Sequence, residues 1–133
     1  MLAAAIRLAD FPLDPALPLA GEARSRSCGS TLELRLATDG EGRIERIGFR
    51  AQACAIGQAA ASLFLAGAIG RSAGEVRDAR EALAGWLGGD SPIPGWPGLE
   101  LLAPARGYPA RHGAILLAWD AALAALASPQ AIR

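Results

Sequence analysis

The sequence predicts an α+β fold, a small antiparallel sheet with helices packed over one face. Three observations carry that prediction. Between residues 32 and 51, apolar and polar residues alternate on either side of an Asp-Gly turn. Beyond residue 54 the pattern changes to helical spacing and keeps it almost to the end. With 133 residues, 52% of them apolar, the chain suits one domain, 1–133, whose core needs no disulfide staples.

Residues 2–9 read as a short amphipathic helix that stops before Phe11-Pro12, because a residue preceding proline avoids helical angles. A signal peptide is disfavoured there: no basic stretch precedes the apolar run, and Arg7 and Asp10 interrupt it. Pro12, Pro15 and Pro18 mark an irregular connector to about Leu19. Gly21 to Ser27 is short and polar, and its own pattern only weakly suggests an edge strand.

Leu32, Leu34 and Leu36 alternate with Glu33 and Arg35, as in a half-buried strand. Thr38-Asp39-Gly40-Glu41-Gly42 is turn material, and Ile47, Phe49 and Ala51 alternate with Arg46, Gly48 and Arg50 beyond it. Together they predict a β-hairpin. Ala55 to Ile69 contains no charged residue and ends at Gly70, which predicts a largely buried helix. Ser72-Ala73-Gly74-Glu75 has the form of a capping box opening a helix that runs to about Leu87. Gly88 to Gly98 reads as a loop, and Leu99 to Ala103 as one helical turn before Pro104. Ala110 to Ala127 predicts a long helix ended by Ser128-Pro129. Trp86 and Trp119 fall in helices and read as core, and Trp96 is expected to fold back over the core rather than face a partner.

Thirteen basic residues, all Arg, balance thirteen acidic ones, so neither nucleic acid nor an anionic membrane is an expected partner. No apolar run reaches the roughly 18 residues needed to span a bilayer. Two cysteines are too few for a secreted disulfide framework, so a reducing cytoplasm is the expected location. No nucleophile–base pairing and no phosphate-binding loop appears, and an enzymatic role is not expected.

The cysteines are placed with more purpose. Cys28 precedes the first hairpin strand and Cys54 follows the second, and midway between them is residue 41, inside the turn. Positions equidistant from a hairpin turn face one another, roughly 5 Å apart if the pairing persists that far. The two thiols should therefore converge at one end of the sheet. Cys54 also opens an uncharged helix, whose positive end favours the thiolate form that binds metal or accepts sulfur. A single Cys reads first as a small buried residue, but a converging pair points to metal or sulfur chemistry. The one histidine, His112, stands at the start of the last helix. A lone His is more often a surface or capping residue; it becomes a third ligand if that helix begins at the cysteine end.

Several segments resemble the U-type scaffolds of iron–sulfur cluster assembly, the NifU-, IscU- and SufU-like proteins. Ser27-Cys28-Gly29-Ser30 resembles that family's Cys-Gly-Asp motif, and Glu41-Gly42-Arg43-Ile44-Glu45-Arg46-Ile47-Gly48-Phe49 its hairpin. Ala53-Cys54-Ala55-Ile56-Gly57-Gln58-Ala59-Ala60-Ala61-Ser62 is similar to the segment in which the second family Cys opens a helix of small residues. Tyr108-Pro109-Ala110-Arg111, followed by Ala118-Trp119, resembles the last-helix motif of the sulfur-mobilisation branch.

The resemblance implies a three-stranded antiparallel sheet with helices on one face. It also implies a protein that holds iron or a labile [2Fe–2S] cluster, with zinc as an alternative metal. The implied partners are a cysteine desulfurase and recipient apo-proteins. Two departures limit it. The family's Asp is Ser30 here, and its third Cys falls on Ala114, whose methyl group binds no metal. Cys28, Cys54 and His112 give at most three ligands where four are ordinarily filled. The fourth would be Ser30, a small thiol or a ligand from another subunit, and a homodimer could supply four thiolates from two copies of Cys28 and Cys54.

Three functions follow as expectations: a cluster scaffold or carrier, a sulfur acceptor for a desulfurase, and a metal-free binding or regulatory module that kept the fold.

Overall fold

The computed structural model describes residues 12–25 and 29–127. The expected helix over residues 2–9 and the stop at Ser128-Pro129 lie outside them, as does Cys28. Three strands form one antiparallel sheet in sequential order: β1 (Leu19–Arg24), β2 (Thr31–Thr38) and β3 (Ile44–Gln52). Helices α1 (Ala55–Ala68), α2 (Ala73–Leu87) and α3 (His112–Leu126) follow, with a 3₁₀ segment over Leu99–Gly107 and a 3₁₀ turn over Pro109–Arg111 before α3.

The alternation in β2 works as its leucines predict. Leu32, Leu34 and Leu36 are buried beneath the helices while Thr31, Glu33 and Arg35 are only half-covered on the other face. The weakly signalled edge strand is real and begins at Leu19, which is buried and pairs with Leu36. Gly21 explains how α3 lies so close on β1. A Cβ there would collide with the carbonyl oxygen of Ala121 and come within 2.6 Å of the Ala125 nitrogen. The Pro-rich connector crosses the opposite face, where Pro12 bridges Phe49 and the Leu17 carbonyl accepts from Arg35 Nε at 2.8 Å.

The Asp39 carboxylate accepts from the backbone N–H groups of Glu41 (2.9 Å) and Arg43 (3.0 Å), and Gly42 takes the positive φ (79°) that the turn requires. These two bonds stabilise the anion and hold the Asp39 carboxyl below its ordinary value. At α2 the capping box is complete: Ser72 Oγ accepts from Glu75 N–H, and the Glu75 carboxylate accepts from Ser72 N–H, both at 3.2 Å. Arg43 ties turn to helix by donating to Glu75 (2.5 Å) and to the Gly70 carbonyl (2.9 Å). The Ser72 N–H, reinforced by Arg43, lowers the Glu75 carboxyl.

The core lies between sheet and helices, with α3 as the central element against β1, β2, α1 and α2. Phe64, Trp96 and Trp119 meet with ring centroids 5.2–5.4 Å apart. Trp96 folds back as expected, only 3% exposed, and its Nε1–H donates to the Leu63 carbonyl at 2.9 Å. One expectation is corrected. The turn at Leu99 does not stop before Pro104 but runs through it to Gly107 as 3₁₀ helix. Proline removes a single donor there, and burial of Leu102 and Ala105 on either side holds the segment against the core. Among the described residues no helix is long and apolar enough to cross a membrane.

Candidate metal or sulfur site at one end of the sheet

The β2–β3 ladder pairs Thr31 with Gln52 as its last register and carries a bulge at Ala37/Thr38. The bulge shifts the count by one residue. Extended in the same register, the ladder would place Gly29, not Cys28, across from Cys54. The ladder ends at Thr31 and Gln52, so the expected opposition of the two thiols falls beyond the paired residues, and both cysteines stand just past the same end of the hairpin in sequence.

Cys54 caps α1 with extended backbone angles (φ −63°, ψ 169°), and its carbonyl accepts the first helical bond from Gln58 N–H at 3.0 Å. Its side chain makes no capping bond and is exposed. The neighbouring backbone is held separately: Gln58 Nε2 donates to the Ala53 carbonyl at 2.8 Å. Cys54 thus sits on a fixed helix start with its sulfur accessible, as a ligand or a sulfur acceptor requires.

On the other side of the hairpin end, Ser25 N–H donates to the Ser30 carbonyl (2.8 Å), and Gly29 N–H donates to the Ser25 carbonyl (2.9 Å). Gly29 adopts φ 72°, a conformation that glycine alone takes freely. Ser25 and Ser30 are both buried. Cys28 belongs to the connection between these anchors and lies outside the described residues.

The start of α3 reaches the same place. Ala114 is 1% exposed and packs on the first turn of α1, with its Cβ 3.5 Å from where a Cβ on Gly57 would stand. Gly113 leaves room for Ser25, whose Oγ would lie 3.1 Å from a Cβ at that position. Three segments therefore converge: the β1–β2 connection and the N-termini of α1 and α3. Ala114, which corresponds by resemblance to a third ligand, stands among them with a methyl group.

His112 begins α3, half-buried. Its Nε2 lies 3.3 Å from the Ala105 carbonyl oxygen and 3.2 Å from that of Arg106. Both partners can only accept, so Nε2 is the donor to them. Arg106 reaches away from the ring, its Nε donating to the Trp86 carbonyl at 2.9 Å and its guanidinium 4.9 Å from the Trp86 ring. No sequence pattern signals these contacts, because they join residues through the 3₁₀ segment and the end of α2. Among the described residues, no three or more His, Cys, Asp and Glu side chains group as a metal site.

The outer face of the sheet at this end holds a cleft of about 410 Å³ lined by Glu22, Arg24, Thr31, Glu33, Arg50 and Gln52 among others. Arg50 pairs with Glu33 at 3.1 Å. Two acids and two bases leave the cleft without a preferred sign of ligand.

A family model described as the NifU-like N terminal domain matches residues 12–87, more than half of the chain. Among solved structures, the chain is similar to the N-terminal part of a NifU-like protein from Brucella abortus, with 29% identity over 90% of this chain and 89% of that one and a TM-score of 0.79. A SufU protein from Fervidobacterium islandicum AW-1, described as an iron–sulfur cluster assembly scaffold for the SUF system, shares the fold. It has 22% identity over 90% and 93% of the two chains and a TM-score of 0.71. No curated protein matches the chain.

Proposed function

This chain belongs to the NifU-like N-terminal domain family, and from that premise we propose that it acts in iron–sulfur cluster assembly as a scaffold or carrier. Its cargo is iron or a [2Fe–2S] cluster, held weakly by Cys28 and Cys54 with His112 as third ligand, and the whole chain works as one domain. The observation that carries this reading is the convergence of the β1–β2 connection, the Cys54 helix start and the His112–Ala114 helix start. Ala114 leaves the ligand set short, so an external thiol or a second copy completes it. A cysteine desulfurase supplies the sulfur, and recipient apo-proteins take the cargo.

Anaerobic reconstitution with iron, sulfide and reductant tests the reading. Visible charge-transfer absorption should develop and should vanish in Cys28→Ala and in Cys54→Ala. A colourless protein at stoichiometric iron would overturn it.

The exposed Cys54 also supports a second reading, that of a sulfur acceptor. The Cys54 thiolate would attack the outer sulfur of a desulfurase persulfide, breaking its S–S bond and releasing the desulfurase thiolate. Cys54 then carries the new S–S bond, with no net redox change. Mass spectrometry after incubation with desulfurase and cysteine should show one added sulfur on Cys54, and an unchanged mass would rule this out.

A further inference from the structure

We propose that β1 is an interface edge, where a second copy of this chain adds its own β1 antiparallel to the first and the two sheets become one. β1 pairs with β2 on one side and, among the described residues, with no strand on the other. The free side of β3, by contrast, carries the Pro12–Phe49 bridge. A cleft of about 410 Å³, with Leu13, Pro15, Ala20 and Ala124 in its lining, opens beside β1. Ser25 N–H donates to the Ser30 carbonyl at 2.8 Å, which sets the phase of the β1–β2 ladder. Bonded and non-bonded positions alternate in an antiparallel pair, so the main-chain groups of Ala20, Glu22 and Arg24 point away from β2. The same three residues are exposed. β1 therefore offers unpaired donors and acceptors of the kind that strand addition uses.

Charge selects the occupant and the register. A strand that meets its own copy keeps the side chains of one face together, so Ala20, Glu22 and Arg24 pair only among positions of that face. The two-fold axis can then fall on Gly21, Glu22 or Ala23. Centring on Gly21 sets Arg24 against Pro18, which has no N–H to donate. Centring on Glu22 sets two carboxylates directly opposite each other, which is unfavourable. Centring on Ala23 sets Glu22 against Arg24 on both sides of the axis, and each such pair also exchanges two main-chain hydrogen bonds. Neither side chain has an ion-pair partner among the described residues of its own chain. The pairing uses no cysteine and no metal, so it is independent of the cargo.

Sedimentation velocity over a rising protein concentration, with reductant and chelator present, tests this. The wild-type protein should form a concentration-dependent dimer. Glu22→Arg and Arg24→Glu each oppose like charges at both pairs and should weaken the dimer by roughly tenfold or more. Mixing the two variants should restore it, because every opposed pair then carries opposite charges. Glu22→Gln separates the registers without a charge reversal: it weakens a dimer centred on Ala23 and strengthens one centred on Glu22. Unchanged melting curves verify that the variants fold. A wild-type protein that stays monomeric would overturn the proposal, whether β1 is idle or covered by the chain's own terminal residues. A dimer indifferent to both reversals would place the interface elsewhere and overturn it as well. Failure of the mixture to associate, or a stronger dimer in Glu22→Gln, would overturn the register centred on Ala23.

Discussion

The two ends of the sheet are built on opposite principles. At the hairpin-turn end, polar side chains close almost every local gap. Asp39 satisfies two backbone donors, Ser72 and Glu75 cap α2 reciprocally, and Arg43 joins turn, linker and helix. Backbone bonds add to this, with Ile44 exchanging hydrogen bonds with Arg71 and Gly70. At the cysteine end, α1 and α3 both begin without a side-chain cap, on Cys54 and Arg111. Small residues do the packing there instead, Gly57 against Ala114 and Gly113 against Ser25. One end is finished by its own side chains, and the other carries an accessible sulfur at the start of α1.

The strongest way to break the contrast is to remove what both ends stand on. Gly21→Val would drive a side chain into the α3 backbone at Ala121 and should destabilise the protein by more than about 4 kcal/mol, so that circular dichroism shows no cooperative melt. Ala114→Cys should sharpen the contrast from the other side by restoring a thiolate at the cysteine end. Competition titration with a chelator should show Zn²⁺ bound roughly tenfold tighter or more, a step of about 1.4 kcal/mol. The added sulfur in a tight contact should cost about 1 kcal/mol of stability.

Ser72→Ala acts only at the capped end. It should lower stability by about 1 kcal/mol in urea titrations and leave metal binding unchanged. The same end carries an acid sensitivity with a definite sign. Asp39 and Glu75 have folded pKa values below their ordinary 3.8 and 4.5. Their contribution is complete above those ordinary values and is lost as pH falls through the folded ones. Melting temperature should drop with acidification in that window, and Arg43→Met should make the drop shallower. The smallest effect on stability is expected at the exposed thiol: Cys54→Ala should change it by no more than about 0.5 kcal/mol while abolishing cargo binding. A large stability loss there would mean that Cys54 is structural.

Much of this fold was legible in the sequence because its signals are short-range. The Leu32, Leu34, Leu36 alternation, the Asp39–Gly42 turn and the Ser72–Glu75 box each lie within a few residues, and each forms as its pattern predicts. The edge strand was faint because β1 contains Gly21 and Ala23 where a stronger strand would carry branched side chains; its pairing with β2 and the weight of α3 make it a strand. The stop placed at Pro104 failed for a similar reason, since burial of Leu102 and Ala105 outweighs one missing donor.

For the site, the division is sharper. The sequence by itself determined which residues could do chemistry, and it placed Cys28 and Cys54 on the two flanks of one hairpin, because alternation and turn composition are local properties of a chain. Tertiary structure decided the rest. A bulge at Ala37/Thr38 shifted the register by one, α3 came down on Gly57 through Ala114, and the His112 ring was set by carbonyls of a segment that no motif marks. Those outcomes depend on which surfaces meet after the chain closes on itself. The energies that choose between them come from packing across the core, where sequence separation carries no information.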